Sequence, residues 1–346
     1  MKDIIRGAGQ LRAAVIGLGV GERHIAGYQA DPRCRVVALC DTDPRKLGDV
    51  QLRYPGLLAT TKPEEILEDP SIDIVSIASH DDFHRDQIVA ALSLGKHVFA
   101  EKPLCLSRAE YRDILLALKN SNGPRLSSNL ILRKEPRFVE LRNRIRAEKF
   151  GNVYYLEGDY DYGRIEKIVG GWRGELAGFS VVHSGGIHLI DLLLWLSASQ
   201  VVQVFAYGTR IATESTRFRN NDTVVAILKF ADGMLGKVSA NFACVTPHHH
   251  RVSVYGTEAT FEQGHLGAAY FSSRDAAVGP ELETDAYPAA SKGDILPSFV
   301  RSILDGSPAD VTEKEVFDAM NVSLAIEESL LAGKPVDLEY EDWDAT

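Results

Sequence analysis

Apolar residues fall in short runs that stop at glycines or charges. Leu11–Ile16 is a mainly apolar run that enters Gly17-Leu18-Gly19-Val20-Gly21-Glu22-Arg23-His24, and a helix is expected to follow through Tyr28. The next run, Arg35–Cys40, ends at Asp41, and Asp43-Pro44 opens a helix with Asp as the cap and Pro in the first turn. A third run, Ile72–Ala78, ends in Ser79-His80-Asp81-Asp82-Phe83-His84, with a helix through Leu94. A fourth, Val98–Ala100, stops at Glu101-Lys102-Pro103. Ser107 and Glu110 form a capping box for the helix after it. Strands alternating with helices in this way predict a doubly wound parallel sheet with right-handed crossovers.

The pattern changes after Leu126. Asn129–Arg133 is expected to end a further strand, a basic helix to cover Glu135–Lys149, and Gly151-Asn152 to turn the chain. Long alternating runs follow at Val153–Tyr162, Val201–Tyr207, Thr223–Phe230, Gly236–Val245 and Arg251–Tyr255, with a hairpin turn at Ala231-Asp232-Gly233. They read as one open, mainly antiparallel sheet. A helix at Gly186–Leu196 is apolar nearly all round and therefore buried, and two helices, Ile295–Leu304 and Glu313–Leu331, close the chain. The reading is α/β: a Rossmann domain over residues 1–126 and an α+β domain over residues 127–346 that binds substrate and assembles the oligomer. Strands with apolar residues on both faces suggest that subunits pack sheet to sheet, as a homodimer or homotetramer.

Length agrees with two domains, since the chain has 346 residues. The formal net charge of -10 argues against a nucleic-acid binder. No apolar run is long enough to span a bilayer, and the first residues show no secretory signal. Cys34, Cys40, Cys105 and Cys244 are scattered, without metal or disulfide spacing, and Cys40 and Cys244 read as buried thiols. A cytoplasmic setting is expected.

Candidate chemistry gathers at the carboxyl ends of the first strands, where open α/β sheets bind ligands. Gly17 and Gly19 allow a tight turn and close approach of a pyrophosphate, although Glu22 takes the third glycine position and Gly21 lies one place earlier. Asp41 ends the second strand, where a carboxylate accepts hydrogen bonds from the adenosine ribose. That favours NAD, while Arg45 and Lys46 nearby keep NADP as the alternative. Pro103 restrains Lys102 at the end of the fourth run.

With these residues in place, the chain resembles the glucose–fructose oxidoreductase / inositol dehydrogenase (Gfo/Idh/MocA) family. The likeness rests on Gly17-Leu18-Gly19, Asp81–His84, Ala91–Val98 into Glu101-Lys102-Pro103, and Gly185-Gly186-Ile187-His188-Leu189-Ile190-Asp191. Val254–Glu258 and Ala332–Val336 also fit. The resemblance implies NAD(P)-dependent oxidoreductases of sugars and cyclitols, with a substrate cleft between the domains and frequent dimers or tetramers. It maps a catalytic lysine onto Lys102 and a catalytic histidine onto His188. Many members carry an aspartate four residues before that histidine; here the position is Ser184, beside His183, so either one of these two takes part in the proton relay or the substrate differs from the usual polyol. The expected cofactor-binding set is Gly17, Gly19, Val20, Gly21, Asp41, Ser79, His84, Glu101 and Lys102.

Hydride transfer from a secondary alcohol needs a base and a group that positions the hydroxyl and stabilises the alkoxide. His188 suits the first role and Lys102 the second. Gly185-Gly186 is expected to let ligand approach closely. Asp191 is read as a supporting residue, and Asp81 and His84 as neighbours of the cofactor. His248-His249-His250 reads as an exposed turn, because three consecutive residues on a strand do not converge on one metal ion. Arg133, Arg164, Lys167 and Arg173 could form a cationic rim, with Trp172 and Tyr162 as stacking faces for an anionic or nucleotide-linked sugar. The competing function is a non-catalytic, NAD-sensing regulatory or scaffold protein on the same fold.

Overall fold

The computed structural model describes residues 10–176 and 178–343. The chain forms two compact units: one holds the residues up to Ile131 together with Ser291–Val316, the other Leu132–Ala290 and the chain from Phe317 onward.

In the first unit, β1 (Leu11–Ile16), β2 (Cys34–Cys40), β3 (Leu58–Thr60), β4 (Ile74–Ile77), β5 (His97–Ala100) and β6 (Leu126–Ser128) make a parallel sheet in the order β3-β2-β1-β4-β5-β6. The order reverses between β1 and β4, which places the loops after these two strands at the switch point. Ala13 to Ile16, Ile74 to Ile77 and Val98 to Ala100 are buried, as parallel strands covered on both faces must be. Each fully buried Val, Ile or Phe among them stabilises the fold by about 1.5–3 kcal/mol. The crossovers include α1 (Glu22–Gln29) and α2 (Pro44–Arg53); α2 starts where the Asp43 side chain accepts the backbone N–H groups of Arg45 and Lys46.

β3 was not expected from the sequence; its three residues are too few to show a period. The expected strand ending at Asn129–Arg133 is corrected: β6 ends at Ser128, and Ile131–Lys134 is a tight helical turn.

The second unit carries the other sheet. Its strands are β7 (Val153–Asp161), β8 (Val201–Thr209), β9 (Thr223–Phe230), β10 (Leu235–Asn241), β11 (His249–Gly256), β12 (Thr260–Gly264), β13 (Gly267–Phe271), β14 (Glu281–Glu283) and β15 (Val336–Asp337). They run in the order β14-β13-β12-β11-β7-β10-β9-β8-β15. The sheet is mainly antiparallel, as expected, with β7 and β10 paired in parallel. Hairpins fix the direction of consecutive strands, but β7 is an earlier segment inserted between β10 and β11, where no hairpin sets its sense. One face packs on the helix Ile187–Ser197, where Gly158 lies against Leu189. On the other face Tyr207 is 70%, Val225 41%, Ile227 46% and Leu235 48% exposed. The register puts Tyr207 opposite Val225, and Ile227 between Phe205 and Lys237. No helix among the described residues is long and apolar enough to cross a membrane.

Candidate active site

The glycine turn after β1 is built by packing on one side and left open on the other. Gly17 has a φ of +86°, and a Cβ there would lie 2.2 Å from the Ala78 carbonyl oxygen. A Cβ on Gly21 would lie 2.1 Å from the Gly17 carbonyl oxygen. The displaced glycine at position 21 is thus required by the turn itself. At Gly19 a Cβ would meet nothing within 4 Å, and Val20 beside it is exposed. Asp41 clamps this turn: its carboxylate accepts the Leu18 N–H at 2.8 Å and the Asp43 N–H at 2.9 Å, with the Lys46 ammonium 3.4 Å away. No side chain caps the start of α1. Open space over Gly19, an uncapped helix start and a carboxylate at the end of β2 suit a dinucleotide.

Lys102 is braced through both neighbours. Glu101 is buried, and its carboxylate accepts from Asn129 Nδ2 at 2.7 Å and lies 3.2 Å from His24 Nε2. Burial alone would raise its pKa, but the His24 hydrogen bond and the Lys292 and Lys102 charges outweigh it and hold the carboxyl well below the usual range. On the other side, His84 Nδ1 donates to the Pro103 carbonyl at 2.7 Å, while Nε2 is 3.2 Å from the Ser79 carbonyl. The Ser79 hydroxyl donates to Gln87 at 2.8 Å. His84 is fully buried, and its ring braces the chain at Pro103 and Ser79. Asp81 opens a short helical turn leading into His84. His24 and Asn129 escaped the sequence reading. The available signal for His24 was a histidine three residues beyond Gly21, where the first helical turn points into the sheet.

In the second unit, Val182–Gly186 is a π-helical turn feeding the helix Ile187–Ser197, a local irregularity common at functional sites. The Ser180 hydroxyl starts it, accepting the N–H groups of Val182 at 3.0 Å and His183 at 3.1 Å, and donates to Glu327. His183 Nδ1 lies 2.7 Å from the Ser323 hydroxyl, and Ser184 is buried in the same turn. His188 is 4% exposed and stacks on Tyr160, the ring centres 6.2 Å apart at 21°.

The reason expected for Gly185 is corrected. A Cβ there would lie 2.4 Å from Tyr160 Cε1, so the residue makes room for the Tyr160 ring rather than for ligand. Gly186 has ordinary clearance, 3.4 Å from Ala240.

Arg133 does not join a cationic rim. It is 4% exposed, its guanidinium bonded to both Asp191 carboxylate oxygens at 2.6–3.2 Å, with Trp195 beneath at 5.8 Å. A charge in this position must be paired to be buried, and Asp191 is its partner. Arg164 and Arg173 differ: Arg164 is exposed over the Tyr162 ring at 5.2 Å and Arg173 lies over Trp172 at 4.5 Å. Tyr162 stacks on Tyr160, and both arginine charges reach the Tyr160 phenol, although burial dominates and pushes its pKa up. Lys167 is exposed on the same stretch.

The three histidines are not an exposed turn. His248 and His250 lie on one side against Tyr160, while His249 faces His265, 4.5 Å between ring centres. His250 Nδ1 bonds the Tyr287 hydroxyl. Among the described residues, no three His, Cys, Asp or Glu side chains gather in a way that could hold a metal ion.

Two family models match this chain. The oxidoreductase family GFO/IDH/MocA, NAD-binding Rossmann fold, matches residues 11–129, and the GFO/IDH/MocA C-terminal domain matches residues 138–262. The scyllo-inositol 2-dehydrogenase (NAD(+)) of Bacillus subtilis is 28% identical over 96% of this chain and 97% of its own length. The myo-inositol 2-dehydrogenase of Thermotoga maritima is 24% identical over 95% and 99%. Among solved structures, levoglucosan dehydrogenase in complex with NADH and levoglucosan superimposes with a TM-score of 0.81 at 22% identity, covering 95% of this chain and 99% of that one. The scyllo-inositol dehydrogenase of Lactobacillus casei with NAD(H) and scyllo-inositol gives 0.78 at 18% identity, with coverage of 95% and 99%.

Proposed function

The chain belongs to the GFO/IDH/MocA oxidoreductase family, and from that premise we propose that it transfers a hydride between NAD and a secondary alcohol or ketone of a cyclitol, sugar or sugar derivative. The observation that carries the proposal is the Asp41 carboxylate clamped under an open glycine turn, on the sheet whose strands β4 and β5 lead, just past their ends, into Ser79 and Lys102. NAD, when bound, supplies the hydride acceptor or donor.

The chain's own residues do the rest. Gly19 and Val20 admit the pyrophosphate, and Asp41 takes the ribose hydroxyls with oxygens already oriented by Leu18 and Asp43. Lys102 positions the substrate hydroxyl and stabilises the alkoxide that forms on it. His188 Nε2 or Nδ1 takes the hydroxyl proton on oxidation and returns it on reduction. His183 or Ser184 stands in for the family's aspartate, and the buried π-turn supports either as a fixed hydrogen-bonding neighbour.

Two further parts belong to this reading. Arg164 and Arg173, over Tyr162 and Trp172, favour a substrate with a carboxylate or phosphate; removing either should raise KM for an anionic sugar more than for a neutral one. The apolar face that carries Phe205 and the exposed Tyr207, Val225 and Ile227 favours a homodimer or homotetramer built sheet to sheet, and a sedimentation mass equal to one chain would oppose it. Net charge speaks against nucleic acid, and the unpaired cysteines suit the cytoplasm. The test of function is NADH formation from NAD with a panel of inositols and sugars: substrate-dependent NADH supports the enzyme, and NAD binding without turnover on the whole panel supports the sensor.

A further inference from the structure

His24 sits in the first turn of α1, three residues beyond the glycine turn, and is fully buried. Its Nε2 is 3.2 Å from the Glu101 carboxylate and its Nδ1 is 3.1 Å from the Ser76 hydroxyl, which is 2.9 Å from the Tyr28 hydroxyl. The edge of its ring meets Phe99, 5.2 Å between centres. With His24 neutral, one proton order gives each of these contacts a donor and an acceptor. An ionised carboxylate only accepts, so Nε2–H donates to Glu101; Nδ1 then accepts from Ser76, and Ser76 accepts from Tyr28. Burial, only partly offset by the Ser76 hydrogen bond, keeps Tyr28 a neutral donor by raising its pKa. Asn129 Nδ2 closes the other side of the same Glu101 oxygen at 2.7 Å.

Glu101 is the residue before Lys102, and its N–H is tied to the Ile77 carbonyl at 2.8 Å. Everything that orients the Glu101 side chain therefore bears on the backbone that carries Lys102. We propose that His24 is a positioning residue for Lys102: it holds the Glu101 carboxylate in place from beneath the cofactor turn, and thereby couples that turn to the group that orients the substrate hydroxyl. Tyr28 and Ser76 set the tautomer that makes this possible, as a second hydrogen bond does for any histidine with a fixed role. Misplacing an orienting group by an ångström lowers turnover by about a hundredfold.

The inference rests on Lys102 acting in turnover, and a double-mutant cycle on the full chain separates the two ideas. His24→Leu should lower kcat by roughly ten- to a hundredfold. His24→Gln, which keeps a donor near the Nε2 position, should recover most of it. Added to Lys102→Ala, His24→Leu should lower kcat no further than about twofold, because it acts through a side chain already removed. Multiplicative losses, with Lys102→Ala itself crippled, would overturn the role of His24 and leave that of Lys102 standing. Wild-type turnover in Lys102→Ala would instead sink the reading of Lys102. If His24→Leu does not fold, the cycle is run with Glu101→Gln: non-additivity with Lys102→Ala supports the coupling and additivity overturns it.

Discussion

His84 Nδ1 donates to the carbonyl oxygen of Pro103 at 2.7 Å, so a fully buried imidazole holds the chain one residue past Lys102. Replacing it with alanine leaves that carbonyl without its donor, at a cost of about 1–3 kcal/mol. His84→Ala should therefore lower the urea midpoint and reduce kcat, with NAD affinity changed by less. Loss of NAD affinity with unchanged stability would mean that His84 touches the cofactor instead.

Gly185→Ala should destabilise the protein by roughly 1–3 kcal/mol, because the new methyl meets the Tyr160 ring in a packed interior. Gly186→Ala, with ordinary clearance, should cost far less. Thermal unfolding of the two variants checks this. Equal stability, with lost turnover in both, would restore the view that these glycines make room for substrate.

The Arg133–Asp191 pair predicts a third contrast. Asp191→Ala removes the carboxylate that pairs with a buried guanidinium and should cost about 3–5 kcal/mol. Arg164→Ala should leave stability nearly unchanged, since Arg164 is exposed. Chemical denaturation measures both; a stable Asp191→Ala variant would contradict the pairing.

These cases show what the sequence made legible and what it hid. The strand after Gln10 and the Asp43 cap follow from local pattern, since each depends on neighbours a few residues away, and the glycine turn and Asp41 follow from where the first two apolar runs stop, although Asp41 bonds to Leu18, 23 residues back. The parallel pairing of β7 with β10 is long-range and leaves no local mark. Arg133 reads as a surface cation until its partner is found 58 residues away on a buried helix. Gly185 reads as a ligand-side glycine because the Tyr160 ring that fills its space lies on another strand. His24 reads as an ordinary helix residue because Ser76 and Glu101 come from the ends of two later strands.

Acid should weaken the fold through His97. Burial, aided by the Arg125 charge, pushes its imidazole down to about 4, and Nδ1 accepts the Arg125 N–H at 3.0 Å. The unfolded chain binds this proton near pH 6.5 and the folded one does not until about 4, so stability falls as pH drops through that window. At about 1.4 kcal/mol per tenfold change in proton affinity, the site removes up to roughly 3 kcal/mol by pH 4. His97→Asn should flatten the dependence of the urea midpoint on pH between 4 and 6.5. An unchanged slope would assign the acid sensitivity to other groups.

The catalytic role of Lys102 is tested by one paired measurement: NAD affinity and substrate-dependent NADH formation in Lys102→Ala beside the wild type, on whichever cyclitol or sugar the wild type oxidises. NAD should still bind, within a few-fold, while turnover falls by about a hundredfold or more. Wild-type turnover in the variant, or loss of NAD binding in step with turnover, would rule out that role for Lys102.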